Sequence, residues 1–172
     1  MLIKRGFTVI ELLITIAIVA ILAALVAPSF NVMLANAQIK TAAQAMFDGL
    51  QLARVEAIRR NERVIFTTGT QSSWEVKVES AGSTVQARSS AEGSPAVSMT
   101  ATPVGATEVT FDGLGRVKPN TDASNSISRL DADVPTSLIS AAASRELRIT
   151  ISTGGAIRLC DPNAASGGAM AC

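Results

Sequence analysis

The sequence of 172 residues contains no histidine, no tyrosine and a single tryptophan. Histidine is the commonest general base near neutral pH and a frequent metal ligand, so its absence argues against most catalytic and metal-binding functions. Serine is plentiful, but no nucleophile and base stand at a suggestive spacing. The two cysteines are too few for a structural zinc site. We therefore predict neither an enzyme nor a protein that depends on a cofactor or metal.

Charge is also scarce. The chain has 15 basic and 14 acidic side chains, and its formal net charge is +1. This near-neutral balance gives no electrostatic argument for a nucleic-acid or anionic-membrane partner. No charged residue occurs from Leu12 to Ile39, and as a helix this stretch is long enough to cross a hydrocarbon core of ~30 Å. The length leaves room for one anchor and one modest domain.

The remaining sequence is organised around the stretch from Lys4 to Pro28. A short basic leader ends in Gly6, and the apolar run that follows contains one acid, Glu11, before it closes at Pro28. An ionised carboxylate in a lipid-facing helix costs roughly 2.5–3.5 kcal/mol on insertion scales, so it indicates a functional partner. The nearest candidate is a cationic chain terminus made by cutting after Gly6.

This stretch resembles the type IV prepilin signal, in which basic residues and a glycine precede Phe-Thr-Val-Ile-Glu. The resemblance implies that a prepilin peptidase cleaves between Gly6 and Phe7 and N-methylates Phe7. It also implies that Glu11 pairs with the Phe7 amine of a neighbouring subunit during assembly. A secretory signal peptide would be cut after its apolar region, but the nearest Ala-x-Ala triplet, Ala35-Asn36-Ala37, lies too far beyond it. A plain membrane anchor has no use for Glu11.

Apolar residues recur at spacings of three and four beyond Pro28, which predicts that the helix continues to about Arg60 as an amphipathic segment. Gly49 within it indicates the close approach of a strand. The predicted packed face consists of Phe30, Met33 or Leu34, Ala37, Met46, Leu50, Ala53 and Ala57. The predicted divisions are a leader 1–6, a transmembrane segment 7–28, an amphipathic helix 29–61 and a β domain 62–172.

Alternating apolar and polar residues after the helix predict an antiparallel sheet with one solvent-exposed face. The predicted strands are Arg63–Thr68, Trp74–Glu79, Thr84–Arg88, Val97–Thr100 and Thr107–Asp112. We interpret Trp74 as a core residue because it begins an alternating strand. The Ser-, Asp- and Ala-rich stretch Pro119–Ser144 is only weakly patterned, and we interpret it as a long surface excursion.

The last predicted hairpin has the most informative pattern. A three-residue loop, Thr153–Gly155, pairs Ile151 with Ile157 and Ile149 with Leu159. A slip of one residue would set apolar positions against polar ones, so this register is favoured. It places three residues on the outward face: Arg148, Arg158 and Cys160.

Cys160 and Cys172 are the only cysteines, and both follow the anchor. If this part lies outside the cytoplasm, a disulfide is the default expectation. Closing a loop of about a dozen residues contributes roughly 3 kcal/mol in the chain-entropy treatment. The expected role is mechanical, because the bond would secure a tail rich in glycine, alanine and serine.

Three further segments resemble the GspH/FimT family of type IV pilus minor pilins and type II secretion pseudopilins. They are Leu52–Val64, the Phe-x-x-x-Gly segment in Phe111–Val117, and Ile157–Pro162 with Cys172, the last being similar to the FimT/FimU-like branch. The resemblance implies an α+β, pilin-like fold, with a long N-terminal helix packed on antiparallel β-sheet. It also implies a place in the small complex that primes a pilus or pseudopilus.

The same resemblance implies a location and partners. The chain would cross the inner membrane once with a periplasmic C-terminal domain, and would then enter the filament with other minor pilins or pseudopilins and the major pilin. Our first hypothesis is a minor pilin of a type IV pilus. The alternative is a type II secretion minor pseudopilin.

A second alternative is a DNA-binding minor pilin. Some FimT-like pilins bind DNA through a Gly-Arg-x-Arg stretch in the final hairpin, and the corresponding residues here, Gly155-Ala156-Ile157-Arg158, lack one arginine. Arg148 beside Arg158 leaves a small basic spot, but exposed arginines on a sheet are usually a solvated face. The acidic stretches 120–122 and 131–133 lack the spacing of a calcium loop, so we predict no metal site there.

Overall fold

A computed structural model describes residues 7–172, without the side chains of residues 25–28. The leader 1–6, with Gly6 of the predicted cleavage site, lies outside the described residues. Within that range a helix, α1, covers Val9–Arg60 and is followed by nine strands. The strands are β1 Val64–Thr68, β2 Trp74–Val78, β3 Thr84–Arg88, β4 Ser98–Thr102, β5 Glu108–Phe111, β6 Val117–Lys118, β7 Arg129–Asp133, β8 Leu147–Ile151 and β9 Ile157–Cys160.

Side-chain and backbone caps define both ends of α1. The hydroxyl of Thr8 accepts a hydrogen bond of 3.2 Å from the backbone N–H of Glu11 and so satisfies a free donor of the first turn. At the other end Asn61 adopts a left-handed conformation with φ of 52°, and its N–H donates to the carbonyls of Ala57 and Ile58. Arg59 in the last turn complements the negative end of the helix dipole. The predicted helix end is confirmed.

The helix is bent between two arms, Val9–Ala24 and Ser29–Arg60, which meet at 45°. Within residues 7–172, neither arm alone is long and apolar enough to qualify as a bilayer-spanning helix, whereas the bent pair qualifies by length and composition. The bend coincides with the segment that contains Pro28, and proline is a common cause of sharp kinks because it removes a backbone donor.

The strands form two antiparallel sheets that pack along the second arm of α1. The first sheet has the order β3-β2-β1-β5-β6, and the second has the order β4-β7-β8-β9. All five strands predicted before residue 119 are present, with ends shifted by at most two residues. In β2 the predicted alternation is confirmed, since Trp74, Val76 and Val78 are buried while Glu75 and Lys77 are partly exposed.

The interpretation of Pro119–Ser144 as a surface excursion is wrong at its centre. Arg129–Asp133 forms β7, which lies between β4 and β8 and pairs Leu130 with both Ala101 and Ile149. The five residues of β7 include three charged ones, so the local sequence carries little strand signal. Pairing on both sides and burial of Leu130 and Ala132 stabilise it, and these are tertiary effects.

The main core lies where the end of α1 meets the first sheet. Met46, Leu50, Ala53 and Ala57 are fully buried there, as predicted. A Cβ added to Gly49 would lie 2.9 Å from ring atoms of both Phe66 and Trp74. Those two rings stack with centroids 5.9 Å apart. Glycine is therefore required for the close approach of β1 and β2, which confirms both the expectation for Gly49 and the core position of Trp74.

A smaller core lies nearer the N-terminus of the same helix. Here the prediction of which helix face is buried is wrong. Phe30, Met33 and Leu34 are 53%, 62% and 48% exposed, respectively. The buried residues of this part of the helix are Ala35, Ile39, Ala42 and Ala43, which pack with Val97, Ala132, Val134 and Ile139. Apolar residues occur on several faces of this segment, so periodicity does not select one. Small side chains permit the closest approach of the second sheet, and the sheet packs on that face.

Candidate functional site

The first arm of α1 exposes large apolar side chains around its whole circumference. Phe7 is 85% exposed. The aliphatic residues more than half exposed in this arm are Val9, Ile10, Leu12, Leu13, Ile14, Ile16, Ile18, Val19, Ile21 and Leu22. Each such side chain gains about 1.5–3 kcal/mol when it is removed from water. An exposed apolar surface of this extent indicates a lipid or protein environment for the arm.

Glu11 is the single acid in this arm. Its side chain is exposed and lies in the first turn, where the helix dipole favours a negative charge. Phe7 precedes the turn and is also exposed. A partner can therefore reach the carboxylate without any rearrangement of the chain.

The C-terminal tail is held against the second sheet by a disulfide, as predicted from Cys160 and Cys172. Their Sγ atoms are bonded and their Cα atoms are 5.1 Å apart. Cys160 faces outward in the register, opposite Arg148, yet it is only 1% exposed because of its bond to the tail. Backbone contacts add to the covalent link, since the N–H of Asp161 donates to the carbonyl of Met170 at 2.6 Å. The tail is thus more ordered than its composition suggests.

The two arginines of the predicted basic spot both have partners in the structure. Arg148 Nε lies 2.6 Å from Asp131 Oδ1, and Arg129 Nε lies 3.0 Å from Asp131 Oδ2. Arg158 Nη2 donates to the carbonyl of Ala171 at 2.9 Å and so helps to hold the tail. The predicted register of this hairpin is confirmed, with Ile151 opposite Ile157. Arg129 and Arg148 share the single carboxylate of Asp131, so both guanidinium groups are held in place although this part of the face keeps a net positive charge.

One contact that the sequence does not reveal joins α1 to both sheets. The tip of the β8–β9 hairpin packs so tightly on the β5–β6 loop that a Cβ at Gly155 would lie 1.8 Å from the carbonyl oxygen of Gly115. Both glycines have positive φ, 81° and 74°. Arg54 Nε donates to the same Gly115 oxygen at 3.1 Å. We refer to this contact of Arg54, Gly115 and Gly155 as the three-way junction.

Two glutamates on the first sheet have pKa values shifted in opposite directions. Burial raises the pKa of Glu108, and the nearby carboxylates of Asp122 and Glu79 raise it further. The pKa of Glu75 is lowered, first by its contact with Lys77 at 2.8 Å and then by the hydroxyl of Thr84. The charged form of Glu108 is thus disfavoured by folding, while that of Glu75 is favoured.

Glu108→Gln is therefore expected to raise the Tm of the detergent-solubilised chain at pH 7, and Glu75→Gln to lower it, each by ~1–2 °C. A carboxyl group whose pKa is raised by folding destabilises the fold at pH values above the usual glutamate pKa. One whose pKa is lowered by folding stabilises the fold at those pH values. The difference for Glu108 should vanish as pH falls below the usual glutamate pKa, whereas the difference for Glu75 should shrink there and vanish only below its lowered pKa. Thermal unfolding at pH 7 and pH 3.5 checks this, and a shift of the same sign for both variants at pH 7 contradicts it.

Comparison with known protein families identifies the chain. Residues 42–167, well over half of it, match the family described as Type II transport protein GspH. The chain belongs to the GspH family. Residues 1–27 of this GspH-family protein also match the prokaryotic N-terminal methylation motif.

Two solved structures share the fold of this GspH-family chain. Both are crystal structures of the type IV minor pilin FimU of Pseudomonas aeruginosa (strain PAO1), in space groups P21 and P65. The first matches with a TM-score of 0.52 and 17% identity, over 76% of this chain and 93% of FimU. The second matches with a TM-score of 0.52 and 16% identity, over 75% and 98%. No curated protein sequence gives a significant match.

Proposed function

We propose that this protein is a minor pilin of a type IV pilus, which enters the pilus initiation or tip complex through its N-terminal helix. The observation that carries the proposal is the exposed apolar arm, whose single acid, Glu11, lies within the methylation motif matched at residues 1–27. An arm of this kind is unfavourable in water. The arm is suited to insertion in a membrane before assembly and to packing among similar helices afterwards.

In this mechanism a prepilin peptidase cleaves between Gly6 and Phe7 and methylates the new amine of Phe7. The amine stays cationic, and Glu11 of a neighbouring subunit pairs with it. Because water is excluded from the helical core of a filament, the attraction between the two charges is much stronger there than in solvent. An unpaired Glu11 is costly in the same surroundings. The ion pair thus favours correctly staggered helices over other arrangements.

The pilus is preferred over the secretion system for two reasons. The disulfide between Cys160 and Cys172 secures the tail in the way expected of the FimT/FimU-like branch. The fold also matches FimU, a type IV minor pilin, over nearly all of that protein. The alternative is a type II secretion minor pseudopilin, which the description of the matching family favours.

The proposal includes a location and partners. Before assembly the first arm of α1 crosses the inner membrane once, and the domain that follows it lies in the periplasm, where a disulfide persists. The partners are the prepilin peptidase, the other minor pilins and the major pilin. We do not extend the proposal to DNA binding, because Arg148 is engaged by Asp131, Arg158 is engaged by the Ala171 carbonyl, and the stretch Gly155-Ala156-Ile157-Arg158 lacks one arginine.

Mass spectrometry of the protein extracted from membranes tests the processing step. The expected mature chain begins at an N-methylated Phe7. A chain that retains Met1, or one that begins beyond Ala27, contradicts the proposal.

Deletion of the gene in its native host separates the pilus from the secretion system. We expect fewer surface pili, unchanged export of secreted proteins, and recovery when the wild-type gene is restored. Loss of export with normal piliation would favour the pseudopilin alternative instead.

A further inference from the structure

An exposed aliphatic patch lies at the far end of α1. The β5–β6 loop, residues 112–116, carries Leu114 at its apex with 69% of the residue exposed. A Cβ at the adjacent Gly115 would lie 2.7 Å from Ile58 Cδ1, so the loop borders the last turns of the helix. Ile58 and Val55 are 48% and 55% exposed and share one helix face. We call Val55, Ile58 and Leu114 the Leu114 patch.

The loop that presents Leu114 is held firmly in place. The Asp112 carboxylate accepts hydrogen bonds from the N–H groups of Leu114 at 3.0 Å and of Arg116 at 2.9 Å. The N–H of Gly115 donates to the carbonyl of Asp112, and Arg54 holds the Gly115 carbonyl from the other side. The loop backbone therefore keeps the leucine at the surface. A loop whose backbone is already fixed loses little further backbone entropy when it binds a partner.

Four cations flank the patch residues in the sequence, Arg59 and Arg60 after Ile58 and Arg116 and Lys118 after Leu114, and we call them the rim of the patch. Arg59 and Arg60 pair with Glu56, while Arg116 and Lys118 pair with Asp112. The two acidic side chains are only 13% and 14% exposed, whereas the four cations range from 38% to 61%. The solvent-facing side of the rim is consequently positive.

We propose that the Leu114 patch is a docking surface for another subunit of the same filament, one that presents an apolar side chain bordered by carboxylates. This inference rests on the proposed function, because the partner is a filament subunit. An apolar centre with a polar rim is the usual anatomy of a protein interface. The positive rim complements carboxylates and steers their approach.

A nucleic acid fits the patch less well than a protein does. Its phosphates would engage the rim cations but would gain nothing from three aliphatic side chains in the centre. Single-stranded bases need aromatic or guanidinium planes on which to stack, and the centre of the patch is aliphatic. The observations therefore favour an acidic protein surface.

Site-specific photocrosslinking of the full chain in its native host tests the proposal. A benzophenone amino acid is placed at residue 114, at residue 104 as a matched control, and at residue 16 in the first arm. Val104 is 94% exposed and lies in the loop at the opposite end of β5. We expect adducts with another prepilin-type subunit from residue 114, at least about fivefold more than from residue 104.

The outcomes separate this inference from the proposed function. Adducts with pilins from residue 16 but not from residue 114, or equal adducts from residues 114 and 104, overturn the docking surface alone. Adducts from residue 114 with nucleic acid, or with a protein outside the filament, also overturn it. Absence of pilin adducts from residue 16 as well would contradict the proposed function.

A substitution provides an independent measurement. Leu114→Asp should reduce the filament-bound share of the protein at least about tenfold, as expected for loss of a central interface residue. Because the leucine is exposed, the Tm and the amount of protein in membranes should match the wild type. Val104→Asp is the control and should assemble normally. Normal assembly of the Leu114→Asp chain would overturn the proposal.

Discussion

A Glu11→Gln chain is expected to reach the membrane, to be cleaved and methylated at Phe7, and then to fail to enter filaments. Glutamine preserves the shape of the side chain and the backbone N–H that Thr8 caps, but it removes the charge. The cationic Phe7 amine of the neighbouring subunit then has no counter-ion in an apolar helical core. Leaving one such charge unpaired costs roughly 2.5–3.5 kcal/mol, so incorporation should fall by about two orders of magnitude.

The measurement is the ratio of protein in sheared filaments to protein in membranes. Thr15→Val is the matched control, because Thr15 is another polar residue of the same arm and its hydroxyl donates to the carbonyl of Leu12 within the helix. This control should assemble like the wild type. If the Gln variant enters filaments as efficiently as the control, the ion pair is not the basis of assembly.

Gly155→Ala is expected to lower the free energy of unfolding by about 2–4 kcal/mol. The added Cβ would require a left-handed backbone at φ of 81° and would lie 1.8 Å from the Gly115 oxygen. Backbone atoms lie on both sides of the collision, so neither side can adjust by a change of rotamer. The β8–β9 hairpin would have to move away from the β5–β6 loop and disrupt the three-way junction.

Gly154→Ala is a control within the same turn. A Cβ at Gly154 meets only Ser152 Oγ, at 3.8 Å, which is an ordinary contact. We expect its stability to lie within about 0.5 kcal/mol of the wild type. Chemical denaturation of both detergent-solubilised variants measures the difference. Equal stabilities for the two variants would show that the tight contact at Gly155 is not a constraint.

Some parts of the fold were predictable because the physical cause acts between close neighbours in sequence. The last hairpin is one example, since alternating isoleucines and a Gly-Gly turn together allow one register and exclude the slipped one. The end of α1 is another, because Arg59, Arg60 and Asn61 favour helix termination locally. Gly49 indicated a close strand, although not that the strand would present Phe66 and Trp74.

Other parts depend on partners that are distant in the sequence. Arg54 lies between apolar helix positions, a pattern that is typical of a solvent-exposed side chain. In the structure it instead donates to the carbonyl of Gly115, which is 61 residues away in the sequence. The strand β7 has little apolar content, and its neighbours β4 and β8 stabilise it. The buried face near Ala35 and Ile39 is likewise selected by the second sheet, because the helix sequence offers apolar residues on more than one side.

The sequence by itself determined the apolar arm, its single acid, the N-terminal methylation motif and the disulfide pair, because each of these follows from the residues of a short segment. Only the tertiary structure decided which helix face is buried, how the strands divide into two sheets, and how Arg54, Gly115 and Gly155 meet. It also placed the loop that carries Leu114 beside Ile58. The physical reason is that packing and backbone contacts depend on distances between segments far apart in the chain, and no local pattern encodes those distances.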